Sequence, residues 1–190
     1  MKKFNLIILL PLFLFLFGCF TIMIPPKIYE PSILKKNNAD VSYCIDEKIK
    51  NIELVTDKGT KYQSNFAQTL TYSLQKTMEQ IFYSPKEVSS FEESKSKYFV
   101  LFEKETSELK EIYAGSLIYK DYEYNLKIRI TIYKDKKKID EIIATGRGYK
   151  SHQEIFEKLT SYECIKFATT EALDKIIKNI GEYLMNFKFE

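Results

Sequence analysis

The 190-residue chain has no tryptophan, one histidine, three cysteines and only six glycines. A metal site or a histidine-activated nucleophile needs several partner residues, and this composition supplies few of them. We therefore predict no metal, no cofactor and no catalytic residue. Lysine and arginine total 29 against 26 aspartate and glutamate residues. That excess is too small to indicate a nucleic-acid-binding protein.

What the chain does contain is typical of one globular domain. Hydrophobic residues make up 45% of the sequence and charged residues 29%, which is neither a disordered nor a wholly membrane-embedded composition. The length also fits a single domain. The sequence therefore indicates a location and a fold class, but no reaction and no ligand.

The N-terminus carries a short apolar stretch. Lys2 and Lys3 precede 14 residues, Phe4–Phe17, that are apolar apart from Asn5. A helix of that length spans roughly 21 Å, which is less than the hydrocarbon core of a bilayer. A basic start, a short apolar core and then a small residue are typical of a secretory signal.

The residues Leu16-Phe17-Gly18-Cys19 resemble a bacterial lipobox, in which a small residue precedes an invariant cysteine. The resemblance implies cleavage between Gly18 and Cys19, with acylation of Cys19 on its sulfur and then on its new amino group. Residues 1–18 are then a signal peptide. Two or more acyl chains would hold the protein stably at the membrane.

An uncleaved N-terminal anchor is the alternative. In that case the apolar stretch continues through Cys19 to Ile24 and stops at Pro25-Pro26. About 21 nearly apolar residues would then be enough to span a bilayer. Both interpretations place the same domain outside the inner membrane, and they differ only in how it is attached.

Residues 19–37 are predicted to be the acylated N-terminus and a semi-rigid tether, because Pro25, Pro26 and Pro31 restrict the backbone. The tether is apolar enough that we expect it to pack on the domain or lie at the membrane surface.

Residues 38–190 form the single domain. Its predicted strands are Asp40–Ile45, Ile49–Thr56, Tyr98–Phe102, Tyr113–Tyr119, Leu126–Tyr133 and Ile139–Tyr149, with a turn at Asp135–Lys138. Its predicted helices are one that is capped by Ser64 and ends near Phe82, a short piece around Ile155–Leu159, and one over Ile165–Leu184.

The clearest pattern is the alternation of four aliphatic residues with polar ones over residues 126–133. Its period of two puts the aliphatic side chains on one face of the strand and Lys127, Arg129 and Tyr133 on the other. We predict an α+β fold in which two helices pack on one face of a mostly antiparallel sheet of four to five strands, in the order β–α–β–β–β–α. The other face carries many tyrosines and is a candidate interaction face; ordinary cross-strand packing is the alternative.

Three further features have more than one interpretation. Cys44 and Cys164 are an even pair in an oxidising compartment, so a disulfide is one prediction and two separate buried thiols the other. His152 is expected to be a surface histidine at a helix start. Gly146-Arg147-Gly148-Tyr149 lacks the spacing of a phosphate-binding loop and is interpreted as a strand exit or bulge.

A lipobox followed by β–α–β–β–β–α resembles the small outer-membrane lipoproteins typified by the YajG and LptE families, over roughly residues 19–190. The resemblance implies a non-catalytic envelope lipoprotein that is anchored in the outer membrane, faces the periplasm and binds an envelope protein partner. Two alternatives stay open. One is a lipid- or lipopolysaccharide-binding lipoprotein of a transport system that uses Lys127, Arg129 and Lys136–Lys138; the other is a hydrolase with a serine–lysine or carboxylate site.

Overall fold

The computed structural model describes residues 21–30, 36–113, 120–152 and 160–189. The predicted signal peptide with Gly18 and Cys19, most of the predicted strand at 113–119 and the helical piece at 155–159 lie outside these residues. The elements in chain order are β1 (Val41–Ile45), α1 (Glu47–Lys50), β2 (Leu54–Val55), β3 (Lys61–Tyr62), α2 (Phe66–Ile81), β4 (Lys86–Glu87), β5 (Tyr98–Tyr113), β6 (Lys120–Lys134), β7 (Lys137–Lys150) and α3 (Ser161–Asn186).

Five strands form one mixed sheet in the order β4-β1-β5-β6-β7, and β2 pairs with β3 in a separate small hairpin. Strands β5, β6 and β7 are antiparallel neighbours, whereas β1 runs parallel to both β4 and β5. The parallel pairs arise because α2 forms a crossover between β1 and the later strands. The predicted α+β class, with two helices packed on the sheet, is confirmed.

The predicted alternation on β6 is also confirmed. Leu126, Ile128, Ile130 and Ile132 are completely buried in the core that α2 and α3 cover. Tyr122 and Tyr124 also have even residue numbers, so they lie on the same face of β6, and they are buried with these residues. The expectation that the polar face carries many of the tyrosines is therefore wrong for these two, because period two places even-numbered residues of β6 under the helices.

The turn between β6 and β7 is a two-residue turn. Asp135 and Lys136 both have positive φ, at 47° and 64°. Two such residues make a type I′ turn, whose twist matches that of the flanking strands. The turn lies within the predicted segment, and β7 begins two residues earlier than expected.

The prediction of one strand over residues 49–56 is wrong. Residues 47–50 form the single helical turn α1, and the strand β2 is only Leu54–Val55, followed by an isolated bridge from Thr56 to Leu109. Ile49 and Ile52 are both buried. Their spacing of three matches a helical turn better than a strand.

The two long helices begin differently. The residue before α2 is Asn65 rather than Ser64, and its side chain does not cap the helix. It instead accepts a hydrogen bond from the Ile24 N–H at 2.7 Å and donates one to the Ile24 carbonyl at 3.1 Å. Helix α3 begins with a capping box between Thr160 and Glu163, which satisfies two backbone N–H groups at its first turn.

Gly146 and Gly148 lie in the interior of β7, so the interpretation as a strand exit or bulge is wrong. They face α3, where a Cβ added to Gly148 would lie 1.9 Å from the carbonyl oxygen of Ala168. A Cβ on Gly146 would lie 2.1 Å from the carbonyl oxygen of Ala172. The two glycines therefore let the backbone of α3 approach the backbone of the strand.

The described part of the tether packs on the domain. Ile22 and Ile24 belong to the hydrophobic core, and the Ile22 N–H donates to the Gln63 carbonyl at 2.8 Å. The ring of Tyr29 lies against Gly181 of α3. Among the described residues, no helix is both long and apolar enough to cross a membrane.

Candidate functional site: the open face of the sheet

The open face is the side of the sheet opposite α2 and α3, and it carries the three residues predicted as an interaction face. Lys127 is exposed, Arg129 is half-buried, and Tyr133 is half-buried. The structure brings Lys127 and Arg129 together on β6. The ring of Tyr133 instead packs against Phe99, its direct partner on β5, at 5.9 Å between ring centroids, and against Phe91 of the preceding loop at 4.7 Å. Cross-strand packing therefore accounts for this residue.

Arg129 lies between two carboxylates of neighbouring strands. Its Nη2 is 2.5 Å from Oε1 of Glu105 on β5, and its Nε is 3.9 Å from Oε2 of Glu141 on β7. Glu141 also accepts a hydrogen bond from Lys138 at 2.7 Å. That hydrogen bond is the main reason why the pKa of Glu141 lies below its usual range. Arg129 is therefore neutralised within the protein, whereas Lys127 stays exposed to solvent.

A second charged cluster lies nearer the end of β7. Glu123 accepts a hydrogen bond from the Asn125 amide at 2.6 Å and pairs with Arg147. The Asn125 hydrogen bond is the largest contribution that lowers the pKa of Glu123. A buried carboxylate with these two partners is stable in its charged form.

Asp121 joins the end of the open face to the segment after β7. It accepts hydrogen bonds from the Tyr149 hydroxyl at 2.5 Å, the Ser151 hydroxyl at 3.0 Å and the His152 backbone N–H at 2.9 Å. Burial alone would raise the pKa of this carboxyl, but the hydrogen bonds outweigh burial, and the net pKa is lowered. Asp121 therefore holds the end of β7 through its charged form.

Removing this charge should make the protein less stable in a pH-dependent way. The folded-state pKa of Asp121 lies below its unfolded value, so its contribution is present above about pH 4 and is lost as pH falls through the folded pKa. We expect Asp121→Asn to lower the free energy of unfolding by about 2 kcal/mol at neutral pH, and the difference from the natural protein to shrink in acid. Urea denaturation of both proteins at several pH values measures this difference in the free energy of unfolding.

The control for this prediction is Asp174→Asn, because Asp174 is exposed and its ion pair, with Lys27 at 3.5 Å, lies at the surface. It should change the urea midpoint little at any of these pH values. If Asp121→Asn and Asp174→Asn shifted the urea midpoint by the same amount at each pH, Asp121 would not hold the end of β7 in the way described.

Apolar side chains lie among the paired charges of the open face. Ile143 of β7 lies beside Arg129, Tyr149 lies beside Glu123, and all of these positions pair directly across the strands. Ile143 and Tyr149 are both exposed. Aromatic and apolar side chains next to an arginine are typical of the energetically important part of a protein–protein interface.

Side chains of α3 cover the outer edge of β7. Glu171, Lys175 and Asn179 are spaced by four residues and so share one side of the helix. They make hydrogen bonds with the Tyr149 N–H at 3.0 Å, the Arg147 carbonyl at 3.0 Å and the Thr145 carbonyl at 2.9 Å, respectively. These bonds occupy backbone groups that an added strand would need. A partner is therefore more easily accommodated on the open face than at this part of the edge.

The two cysteines of the domain are not bonded to each other. The Cys44 thiol donates to the Ser89 carbonyl on the open-face side of β1, at 3.4 Å, whereas Cys164 belongs to the core on the helix side. The sheet separates them, so the structure has the alternative of two separate buried thiols rather than the disulfide. Burial raises the pKa of the Cys44 thiol.

His152 lies in a turn directly after β7, and the helical piece that it was expected to start lies outside the described residues. Its Nδ1 lies 3.8 Å from Sγ of Cys164, a contact that sequence reasoning missed because the two residues are twelve positions apart. Cys164 is completely buried, so a substrate in solution does not reach its sulfur. Among the described residues, no group of three or more His, Cys, Asp or Glu side chains is placed to hold a metal ion.

Comparison with known proteins finds similarity in structure but not in sequence. No family model matches the chain, and no curated protein matches its sequence. Solved structures share its fold. A protein of the DUF330 family from Xanthomonas campestris superposes with a TM-score of 0.58 at 9% identity, covering 87% of this chain and 94% of its own.

Two further structures are similar to the chain. A neuraminyllactose-binding hemagglutinin homolog from Helicobacter pylori has a TM-score of 0.53 at 10% identity, over 85% of this chain and 92% of its own. A minor lipoprotein from Acinetobacter baumannii has a TM-score of 0.42 at 11% identity, over 82% of this chain and 93% of its own. The first two likenesses establish a shared fold with small bacterial proteins. The narrower likeness to the YajG and LptE families stays a prediction.

Proposed function

We propose that the protein is a non-catalytic lipoprotein of the bacterial cell envelope, anchored through Cys19 in the outer membrane and facing the periplasm. Its open face binds an envelope protein partner. The observation that carries this proposal is that exposed Ile143 and Tyr149 lie among charges that are already paired, on a face that neither long helix covers. The lipobox residues Gly18 and Cys19 support the anchor.

A protein partner fits the open face better than an anionic lipid or lipopolysaccharide. A surface that binds such lipids needs unpaired basic groups. Arg129 and Lys138 are instead paired with Glu105 and Glu141, and Arg147 is paired with Glu123. Within the described part of the chain, the basic residues of the lipid alternative that stay outside ion pairs are Lys127 on the open face and Lys136 and Lys137 at the β6–β7 turn. An anionic headgroup would meet these carboxylates as well as the bases.

Photo-crosslinking in the native bacterium tests the partner. A crosslinking amino acid at Ile143 or at Tyr149 should give the same protein adduct, identified by mass spectrometry. The matched control is Tyr72, which is exposed on α2 and so lies on the helix side. Introducing Arg129→Glu into the Ile143 probe should weaken the adduct. Adducts with lipopolysaccharide would instead favour the lipid-binding alternative, and equal adducts from Tyr72 would contradict a site on the open face.

Palmitate labelling tests the anchor separately. Label should be incorporated into the natural protein and be lost in Cys19→Ser. A Cys19→Ser variant that stays labelled would contradict acylation at this residue. A natural protein that stays in the membrane without label, and keeps its N-terminus, would favour the uncleaved anchor.

A further inference from the structure

Two exposed apolar side chains, Met23 and Tyr162, line one cavity where the described chain begins, and a third, Phe167, follows one turn later on α3. Met23 is 60% exposed, Phe167 53% and Tyr162 39%. Residues 21–23 and the first two turns of α3 line a shallow cavity of about 360 Å³ there, with Tyr162, Glu163 and Lys166 in its wall. Phe167 is the next residue of the helix, and Nζ of Lys150 lies 5.0 Å from the centre of its ring.

The N-terminal segment is held firmly at this end of the domain. Ile22 is buried and bonded to the Gln63 carbonyl, and Ile24 exchanges two hydrogen bonds with the Asn65 side chain. Only Phe20 separates Thr21 from Cys19. A fully extended chain of that length reaches about 7 Å. The chain from Cys19 to Met23 is two residues longer, so an acylated Cys19 lies within about 14 Å of Met23.

We propose that this end of the domain docks on the lipid interface of the membrane that holds the anchor, with Met23, Tyr162 and Phe167 entering the headgroup region. This inference rests on the proposed lipid anchor. Amphipathic aromatic rings and apolar side chains are favoured at that depth. Lys150 and Lys166 are exposed or half-buried beside them, so their stems can lie along the apolar surface while their charges meet lipid phosphates.

Docking in this way orients the whole domain. Strand β7 ends at Lys150 beside the proposed membrane face and begins at Lys137, beside the turn at Asp135-Lys136. A strand of 14 residues is about 45 Å long. The lysines at the β6–β7 turn are therefore held away from the bilayer. The open face stays accessible to a protein partner.

The absence of tryptophan from the chain makes a direct test simple. Met23→Trp and Phe167→Trp each place one fluorophore at the proposed face. Tyr83→Trp is the control, since Tyr83 is exposed and follows the far end of α2, about 24 Å along the helix axis from its start. The acylated mature proteins are reconstituted in vesicles of phosphatidylethanolamine and phosphatidylglycerol with brominated acyl chains.

Emission of Met23→Trp and Phe167→Trp should fall roughly twofold or more relative to unbrominated vesicles, because interfacial side chains enter about 5–10 Å. Tyr83→Trp should keep its emission. Vesicle flotation separates the two proposals. If Met23→Trp and Phe167→Trp both float while their emission is unchanged, the docking is overturned and the anchor stays intact. A Cys19→Ser chain that floats as well as the acylated one contradicts the anchor itself.

Discussion

Replacing Gly148 with alanine should lower the free energy of unfolding by about 3 kcal/mol, at the upper end of what overpacking usually costs. The added Cβ would lie 1.9 Å from the carbonyl oxygen of Ala168 and 2.9 Å from the backbone nitrogen of Ala172. Both are helix backbone atoms, which cannot rotate away as a side chain would. Helix α3 would have to move off β7 and give up part of its packing against the sheet.

The backbone preference of the strand alone predicts that Gly148→Ala raises the free energy of unfolding. Glycine inside a strand is worse than alanine by about 0.5–1 kcal/mol, and Gly148 does not have a positive φ. Alanine should therefore stabilise β7 if only the strand mattered. The expected loss of packing is several times larger than this gain, so Gly148→Ala should lower the free energy of unfolding overall.

Urea denaturation of the mature chain, followed by circular dichroism, measures this effect. Ile143→Ala is the matched control on the same strand, because Ile143 is exposed on the opposite face, and it should shift the midpoint little. Gly148→Ala with an unchanged or higher midpoint would show that α3 does not approach β7 as closely as described.

Ile130→Asp should prevent the protein from folding. Ile130 is completely buried in the middle of β6, between Phe102 of β5 and Ile142 of β7. A carboxylate there has no cationic partner in the apolar core, and burying an unpaired charge costs about 4 kcal/mol or more. That cost is comparable with the total stability of many domains, so we expect insoluble or degraded protein.

The control for Ile130→Asp is Lys127→Asp, on the same strand and the other face. Lys127 is exposed on the open face, so an aspartate there stays in water. We expect soluble protein with a nearly unchanged urea midpoint. Soluble, folded Ile130→Asp protein with the same midpoint would contradict the assignment of the two faces of β6.

The candidate site was predictable in its position but not in its chemistry. Period two along β6 is a local property, and it placed Lys127 and Arg129 on one face without knowledge of any neighbouring strand. The partner of Arg129 could not be predicted in this way. Glu105 lies at a register shift between Lys104 and Thr106 of β5, and such an irregularity changes which residues meet across the strands.

The sequence by itself determined the elements whose signals are local: the alternation on β6 and the apolar stripe of α3. Tertiary structure alone decided which helix covers which strand. That placement explains why Gly148 must lack a side chain, why Cys44 and Cys164 lie on opposite sides of the sheet, and why α3 protects the edge of β7. The physical reason is that these contacts join residues far apart in the chain, and periodicity describes only one element at a time.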